Sequence, residues 1–187
     1  MKTTIYMVRH AESPYNEGNE ITRGLTAKGK DDVEKVTEIL KEEGIDVIIS
    51  SPYNRAILSV EGLAHYLELD IKTFEDLRER FFAEEIIESA DLMSVIRDKF
   101  NDFDYSLPGG ESNADCQNRS ISVIKNILKE HAGEKIAIGT HGLVMTLMMN
   151  YFDSSYGLNF LELKKPDIYK LCFKNFELKD VIRLWNE

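Results

Sequence analysis

Three short apolar runs stand out along the chain: TIYMV before Arg9, DVIIS before Ser51 and KIAIG before Thr140. Each is rich in β-branched residues and lacks polar alternation, the pattern of strands covered on both faces in a parallel sheet. Between the runs, apolar positions recur at helical spacing. Val33, Val36, Ile39 and Leu40 form one stripe on a helix starting after Thr26. Ile57, Val60, Ala64 and Leu67 form another, with Ser51 as N-cap and Pro52 at the first helical position. A third helix is predicted from about Ser112, a suitable N-cap, to Gly133, with Cys116, Ile124, Ile127 and Leu128 turned inward. Strand and helix therefore alternate, which predicts an α/β three-layer fold. Near the end, DIYKLCF and DVIRLWN alternate as strands of a hairpin across KNFELK at the sheet edge.

No repeat, low-complexity tract or linker divides the chain, so residues 1–187 are expected to form a single domain. An excursion at about 81–110 departs from the alternation. It is rich in acids and aromatics, holds one helical stretch, ADLMSVIRDKF, and is expected to cover the site.

Composition narrows the picture. Of 187 residues, 43% are hydrophobic and 30% charged, a balance that supports an ordered globular core. A net charge of −10 argues against non-specific binding of nucleic acid or anionic lipid. It does not exclude a small anion held where a few cations and backbone amides concentrate. Cys116 and Cys172 lie far apart and outside metal-ligand spacing, so they read as thiols in a reducing compartment. MKTTIYMVRHAES is too short and polar for a signal peptide, and LVMTLMMNYF has half the length a membrane span needs. A cytoplasmic address without membrane or nucleic-acid partners is the expectation, and no feature specifies an oligomeric state.

Candidate chemistry follows from what leaves each strand. In open parallel sheets, ligands sit beyond the carboxyl ends of the strands. The first exit carries Arg9 and His10, the second Ser50, Ser51, Pro52 and then Arg55, and the third Thr140, His141 and Gly142. Arg55 falls in the first turn of its helix, where the dipole disfavours a cation, and no carboxylate lies at helical reach. A guanidinium helping a helix N-terminus grip phosphate explains that placement better than a solvated arginine. His10 follows an arginine at the exit of a buried strand and precedes a small polar loop, so an exposed nitrogen is expected. Imidazole is a competent nucleophile toward phosphorus, and adjacent guanidinium groups favour its neutral form. His141 reads as an oxyanion-stabilising group, with general acid as a second option, and Gly142 as a residue that lets backbone approach an anion.

A metal site is the competing reading of two histidines. The chain has no HExxH-like pairing and no third histidine at these exits, and the neighbouring arginines repel a cation. No metal and no cofactor are expected. His131, near a helix end, and His65, within a helix, read as structural.

The strings VRHAES, SSPYNRA, LRER and THG, in this order, resemble the histidine phosphatase superfamily, also called the phosphoglycerate-mutase-like family. The resemblance runs from the first strand to the helix after His141. It implies a mostly parallel, about six-stranded sheet flanked by helices, and a phosphate pocket of Arg9, His10, Arg55 and His141. It also implies His10 as the phosphorylated residue and Glu79, within LRER, as the proton donor to the leaving group. A carboxyl group in an enclosed pocket can supply that proton and then deprotonate water. Asn16 matches the polar residue after the family's RHGE motif, and Leu25-Thr26 with Gly29 resembles its LTxxG element. Gly110-Glu111-Ser112 resembles a motif at a helix start, where packing or pocket-edge roles are expected.

Three departures are visible. Ala11 replaces a glycine, which is tolerated if φ stays negative; the loop from Asn16 to Leu25 is short; and FFAEEIIE replaces a glycine-and-tryptophan pattern after LRER. The resemblance implies a metal-independent, histidine acid-type phosphatase acting on a small phosphorylated metabolite or a phosphorylated protein. A cofactor-dependent phosphoglycerate mutase and a phospho-ligand-binding protein without turnover are the alternatives.

Overall fold

The computed structural model describes residues 1–83, 89–157 and 162–186. The three apolar runs form β1 (Lys2–Arg9), β2 (Val47–Ser50) and β4 (Lys135–Thr140). They join β3 (Ile71–Thr73), β5 (Asp167–Lys174) and β6 (Glu177–Arg183) in one six-stranded sheet of order β3-β2-β4-β1-β5-β6. β1, β2, β3 and β4 pair in parallel, while β5 runs antiparallel to both β1 and β6. The sheet is mostly parallel, as the resemblance implies.

Alternate residues of each buried strand face opposite layers. Ile5, Met7, Ile49, Ile136, Ile138, Leu171 and Phe173 share a core with α4 (Asn113–Glu130) and α5 (Gly142–Phe152). Tyr6, Val8, Ile48, Ala137 and Ile168 share the other with α1 (Ala27–Leu40) and α2 (Asn54–Leu67). Covering both faces is what makes the central strands apolar without alternation. It also explains why LVMTLMMNYF is apolar all round: Leu143 to Met149 of α5 are buried inside the fold. No helix among the described residues is long and apolar enough to cross a membrane.

The helix starts are set locally. Thr26 caps α1, accepting from the Gly29 N–H at 3.0 Å, and Ser112 caps α4 in a reciprocal capping box with Asp115. α4 ends at Glu130, with His131 as its C-cap, rather than continuing to Gly133. The expected cap of α2 is not observed. α2 begins at Asn54 with Tyr53 as its N-cap, because the Ser51 hydroxyl is engaged by His141 instead. In its stripe Val60 and Ala64 are buried and Leu67 packs against the core, whereas Ile57 is only half-buried. The terminal hairpin is tighter than KNFELK: Asn175, at φ 57°, and Phe176 turn the chain, and Glu177 already pairs with Lys174. β3 has no counterpart among the strands read from the pattern, since three edge residues leave too little periodicity to register.

Gly29 explains the LTxxG element in structural terms. A Cβ there would lie 2.3 Å from the Glu12 backbone oxygen, so only glycine lets α1 start against the loop after His10. Gly29→Ala gains about 1 kcal/mol of helix propensity, but the backbone overlap outweighs it. A net destabilisation of about 2 kcal/mol is expected, read as a lower midpoint in urea unfolding.

In the excursion, residues 84–88 lie outside the described residues, so most of FFAEEIIE is not accounted for. The remainder includes α3 (Ser89–Lys99), which places Ile96 and the following Phe100 in the core.

Candidate active site

Backbone pairing continues one residue past the strand ends. His10 N–H donates to the Thr140 oxygen at 2.9 Å, and Ser51 N–H to the Gly139 oxygen at 2.9 Å. The three exits are thereby placed side by side at the carboxyl edge of the sheet. There the rings of His10 and His141 stand edge to face with centroids 5.3 Å apart. A cleft of about 1270 Å³ opens above them, lined by Arg9, His10, Arg55, Glu79 and Gly142 among others. Phe81, Phe82, Ala83, Leu92, Met93 and Ile96 from the excursion form one apolar wall.

His10 is 6% exposed, and its Nδ1 lies 2.7 Å from the Ala11 carbonyl oxygen. A carbonyl only accepts, so Nδ1 carries the hydrogen and Nε2 carries the lone pair. Burial, then the Arg55 charge, hold the imidazole well below its ordinary pKa, with Arg9 and Lys165 acting the same way. The ring is therefore neutral, as anticipated. Ala11, which replaces the family glycine, keeps a negative φ and donates its N–H to Ser59 Oγ at 2.9 Å.

His141 is fully buried, and its Nε2 lies 2.8 Å from Ser51 Oγ. Ser51 Oγ also accepts from the Tyr53 N–H at 3.3 Å, so one hydroxyl links the start of α2 to the His141 ring. Burial and the neighbouring His10 and Arg55 push its pKa well down. His141 Nδ1, Arg9 Nε and Arg55 Nε are buried nitrogens without a hydrogen-bond partner among the described residues. Buried polar nitrogens are rarely left unpaired, and these three come from the three separate strand exits, which marks that edge as a place for a polar ligand.

Glu79 has a specific anchor. Its carboxylate accepts from the N–H groups of Leu143 at 3.2 Å and Val144 at 3.1 Å, in the first turn of α5, and from Arg80 N–H at 2.9 Å. Arg119 of α4 fixes the segment from behind, donating to the backbone oxygens of Asp76 and Arg78 at 2.7 and 3.0 Å and of Glu79 at 3.3 Å. Glu111 holds Arg119 in turn through two bonds of 2.7 and 2.8 Å, which gives the Gly-Glu-Ser motif a bracing role.

Three expectations change. Arg55 does have a carboxylate partner, Glu20, at 3.0 Å, delivered by the loop after His10 and not by its own helix. Gly142 makes room for a side chain: a Cβ there would lie 3.0 Å from the Arg9 guanidinium. The acceptor at the start of α5 is the Glu79 carboxyl group. Asn16 is exposed and does not line the cleft. Arg9 lies where expected, with Nη1 donating to the Leu163 and Lys164 oxygens at 2.6 and 3.2 Å. The sequence pattern did not single out Arg23, Tyr15 or Lys165, which also line the cleft. Arg23, in the otherwise polar loop two residues before Leu25, was the available signal.

Two buried neutral histidines make stability depend on pH. Their folded-state pKa values lie below the unfolded one, so the unfolded chain binds more protons once pH falls under about 6.5. Stability is therefore full above that value and declines toward the depressed folded-state values. Glu43, held low by Lys170 and then Tyr6, acts only at more acidic pH. A thermal midpoint that drops between pH 7 and 5, and drops less in His10→Ala, is the expected result.

Fold and cleft together define an α/β protein with an imidazole-bearing cationic cleft at the carboxyl edge of its sheet, chemistry suited to a tetrahedral oxyanion. Comparison with known proteins gives the family. A model of the histidine phosphatase superfamily (branch 1) matches residues 5–180, and the chain belongs to that superfamily. Phosphoglycerate mutase-like protein 4 of Arabidopsis thaliana is 30% identical over 154 residues, covering 75% of this chain and 67% of that protein. The uncharacterized phosphatase PhoE of Bacillus subtilis is 22% identical over 182 residues, covering 95% and 90%. Among solved structures, a mycobacterial glucosyl-3-phosphoglycerate phosphatase superposes with a TM-score of 0.77 at 17% identity, covering 98% of this chain and 97% of that one. A phosphoserine phosphatase mutant from Entamoeba histolytica superposes with a TM-score of 0.76 at 18% identity, covering 96% of each chain.

Proposed function

We propose that the chain is a metal-independent phosphomonoester hydrolase acting through a phosphohistidine on His10, with residues 1–187 forming one such domain. The observation that carries this reading is the neutral His10 ring, edge to face with His141 in a cleft lined by Arg9 and Arg55. In the first step the Nε2 lone pair attacks phosphorus in line and the bond to the leaving oxygen breaks. That oxygen takes its electron pair and the proton of Glu79. In the second step Glu79 takes a proton from water, whose oxygen attacks phosphorus while the bond to Nε2 breaks. Phosphate departs, and Glu79 is again protonated. The guanidinium groups and His141 stabilise the equatorial oxygens throughout.

The names of the relatives support a phosphorylated small molecule as substrate, phosphoglycerate and phosphoserine derivatives among them. A mutase reading draws on the Arabidopsis relative. A screen of phosphate release from sugar phosphates, phosphoglycerates, nucleotides and phosphopeptides tests the hydrolase reading. Turnover of at least one class is expected. Interconversion of 2- and 3-phosphoglycerate without net phosphate release would replace it with the mutase, and binding without turnover on the whole panel would replace it with a ligand-binding protein.

A further inference from the structure

The Arg55 fork is engaged from both ends by one residue. Nη1 donates to the Glu20 backbone oxygen at 2.6 Å and Nη2 to the Glu20 carboxylate at 3.0 Å. The same carboxylate accepts from Arg23 Nε at 3.2 Å and Nη2 at 3.3 Å. Arg23 is 7% exposed, and its Nη1 donates to Ser13 Oγ at 2.9 Å, while its guanidinium lies over the Tyr15 ring at 4.8 Å. The arginine is thus fixed in the wall of the cleft. Glu20 is its opposite: the side chain is 62% exposed, on a loop outside any helix or strand.

An exposed acid pairing with a surface cation contributes little. This pair of cations is different, because two buried guanidinium groups side by side repel and need an anion between them. A carboxylate and a phosphoryl group present the same spacing of oxygens to a guanidinium fork. The anion now holding Arg23 and Arg55 together is an exposed side chain that can rotate into solvent, whereas both guanidinium groups are buried.

Building on the phosphatase reading above, we propose that Arg23 is a third phosphoryl-binding guanidinium, and that Glu20 is an internal anion which the incoming phosphoryl group displaces from the Arg23–Arg55 pair. The substrate then inherits two prearranged forks. The cost of displacing Glu20 sets how weakly phosphate is held, which favours product release.

The test is equilibrium binding of inorganic phosphate to the full chain by calorimetry, which needs no turnover. Glu20→Gln is expected to tighten binding about fivefold or more, since the charge competing for both forks is gone. Glu12→Gln is the control for charge alone: Glu12 lines the same cleft but accepts from Thr26 Oγ1 at 2.8 Å, and a change under about twofold is expected. Arg23→Ala is expected to weaken binding about tenfold or more, with Arg23→Lys intermediate because it keeps the charge and loses the fork. In the Arg23→Ala background the Glu20→Gln effect shrinks. Glu20→Gln binding no tighter than wild type, Glu12→Gln matching it, or Arg23→Lys binding as well as wild type would overturn the proposal. These results stand apart from the phosphohistidine scheme: that scheme fails on the His10 label, this one on phosphate affinity.

Discussion

Replacing His10 by alanine is expected to lower phosphate release by about 10⁴-fold or more and to remove any acid-labile phosphoryl label from the protein. A loss of that size corresponds to about 5.5 kcal/mol of transition-state stabilisation, more than a single charged contact supplies. The reason lies in the presentation of Nε2. The Ala11 carbonyl fixes the tautomer, while burial and Arg55 keep the ring neutral, so the lone pair needs no prior deprotonation. The other histidine at the edge is no substitute, because His141 is fully buried with Nε2 committed to Ser51. Arg9 and Arg55 remain in the variant, so phosphate still binds while turnover is lost. Label surviving in His10→Ala, or release within tenfold of wild type, would show that phosphorus does not pass through this nitrogen.

Glu79→Gln is expected to have the second largest effect, a fall in kcat of about 10²- to 10³-fold on alkyl phosphates. An alkoxide leaves slowly without a proton, whereas p-nitrophenolate leaves readily, so formation of the phosphoenzyme from p-nitrophenyl phosphate should be nearly spared. The second step still needs a base, and an amide is not one. The variant should therefore release one equivalent of p-nitrophenol in a burst and then stall with His10 phosphorylated. The position of Glu79 gives this prediction its force: three backbone N–H groups, two of them from α5, orient the carboxylate, and Arg119 fixes the segment that carries it. Equal losses on alkyl and nitrophenyl substrates, with no burst, would assign Glu79 a structural role.

Much of this frame is legible along the chain because its causes are local. Runs such as TIYMV must be strands buried on both sides, and Thr26 and Ser112 cap their helices through hydroxyls only three residues from the amides they bind. Local reasoning fails where the cause is distant. Ser51 has the makings of an N-cap, yet His141, ninety residues on, takes its hydroxyl. Arg55 lacks a carboxylate within helical reach, yet Glu20 crosses thirty-five positions to pair with it. Gly142 invites an anion on sequence grounds, but the Arg9 side chain fills its space.

The sequence by itself determined the alternation of strand and helix and the chemistry at each strand exit, since hydrophobic period and capping act over a few residues. Tertiary structure alone decided which groups meet: Glu79 at the start of α5, Glu20 between Arg23 and Arg55, and the two imidazoles edge to face at the strand exits. Electrostatic and hydrogen-bonding partners are chosen by distance in space, and the order of strands in the sheet, not their order in the chain, sets that distance.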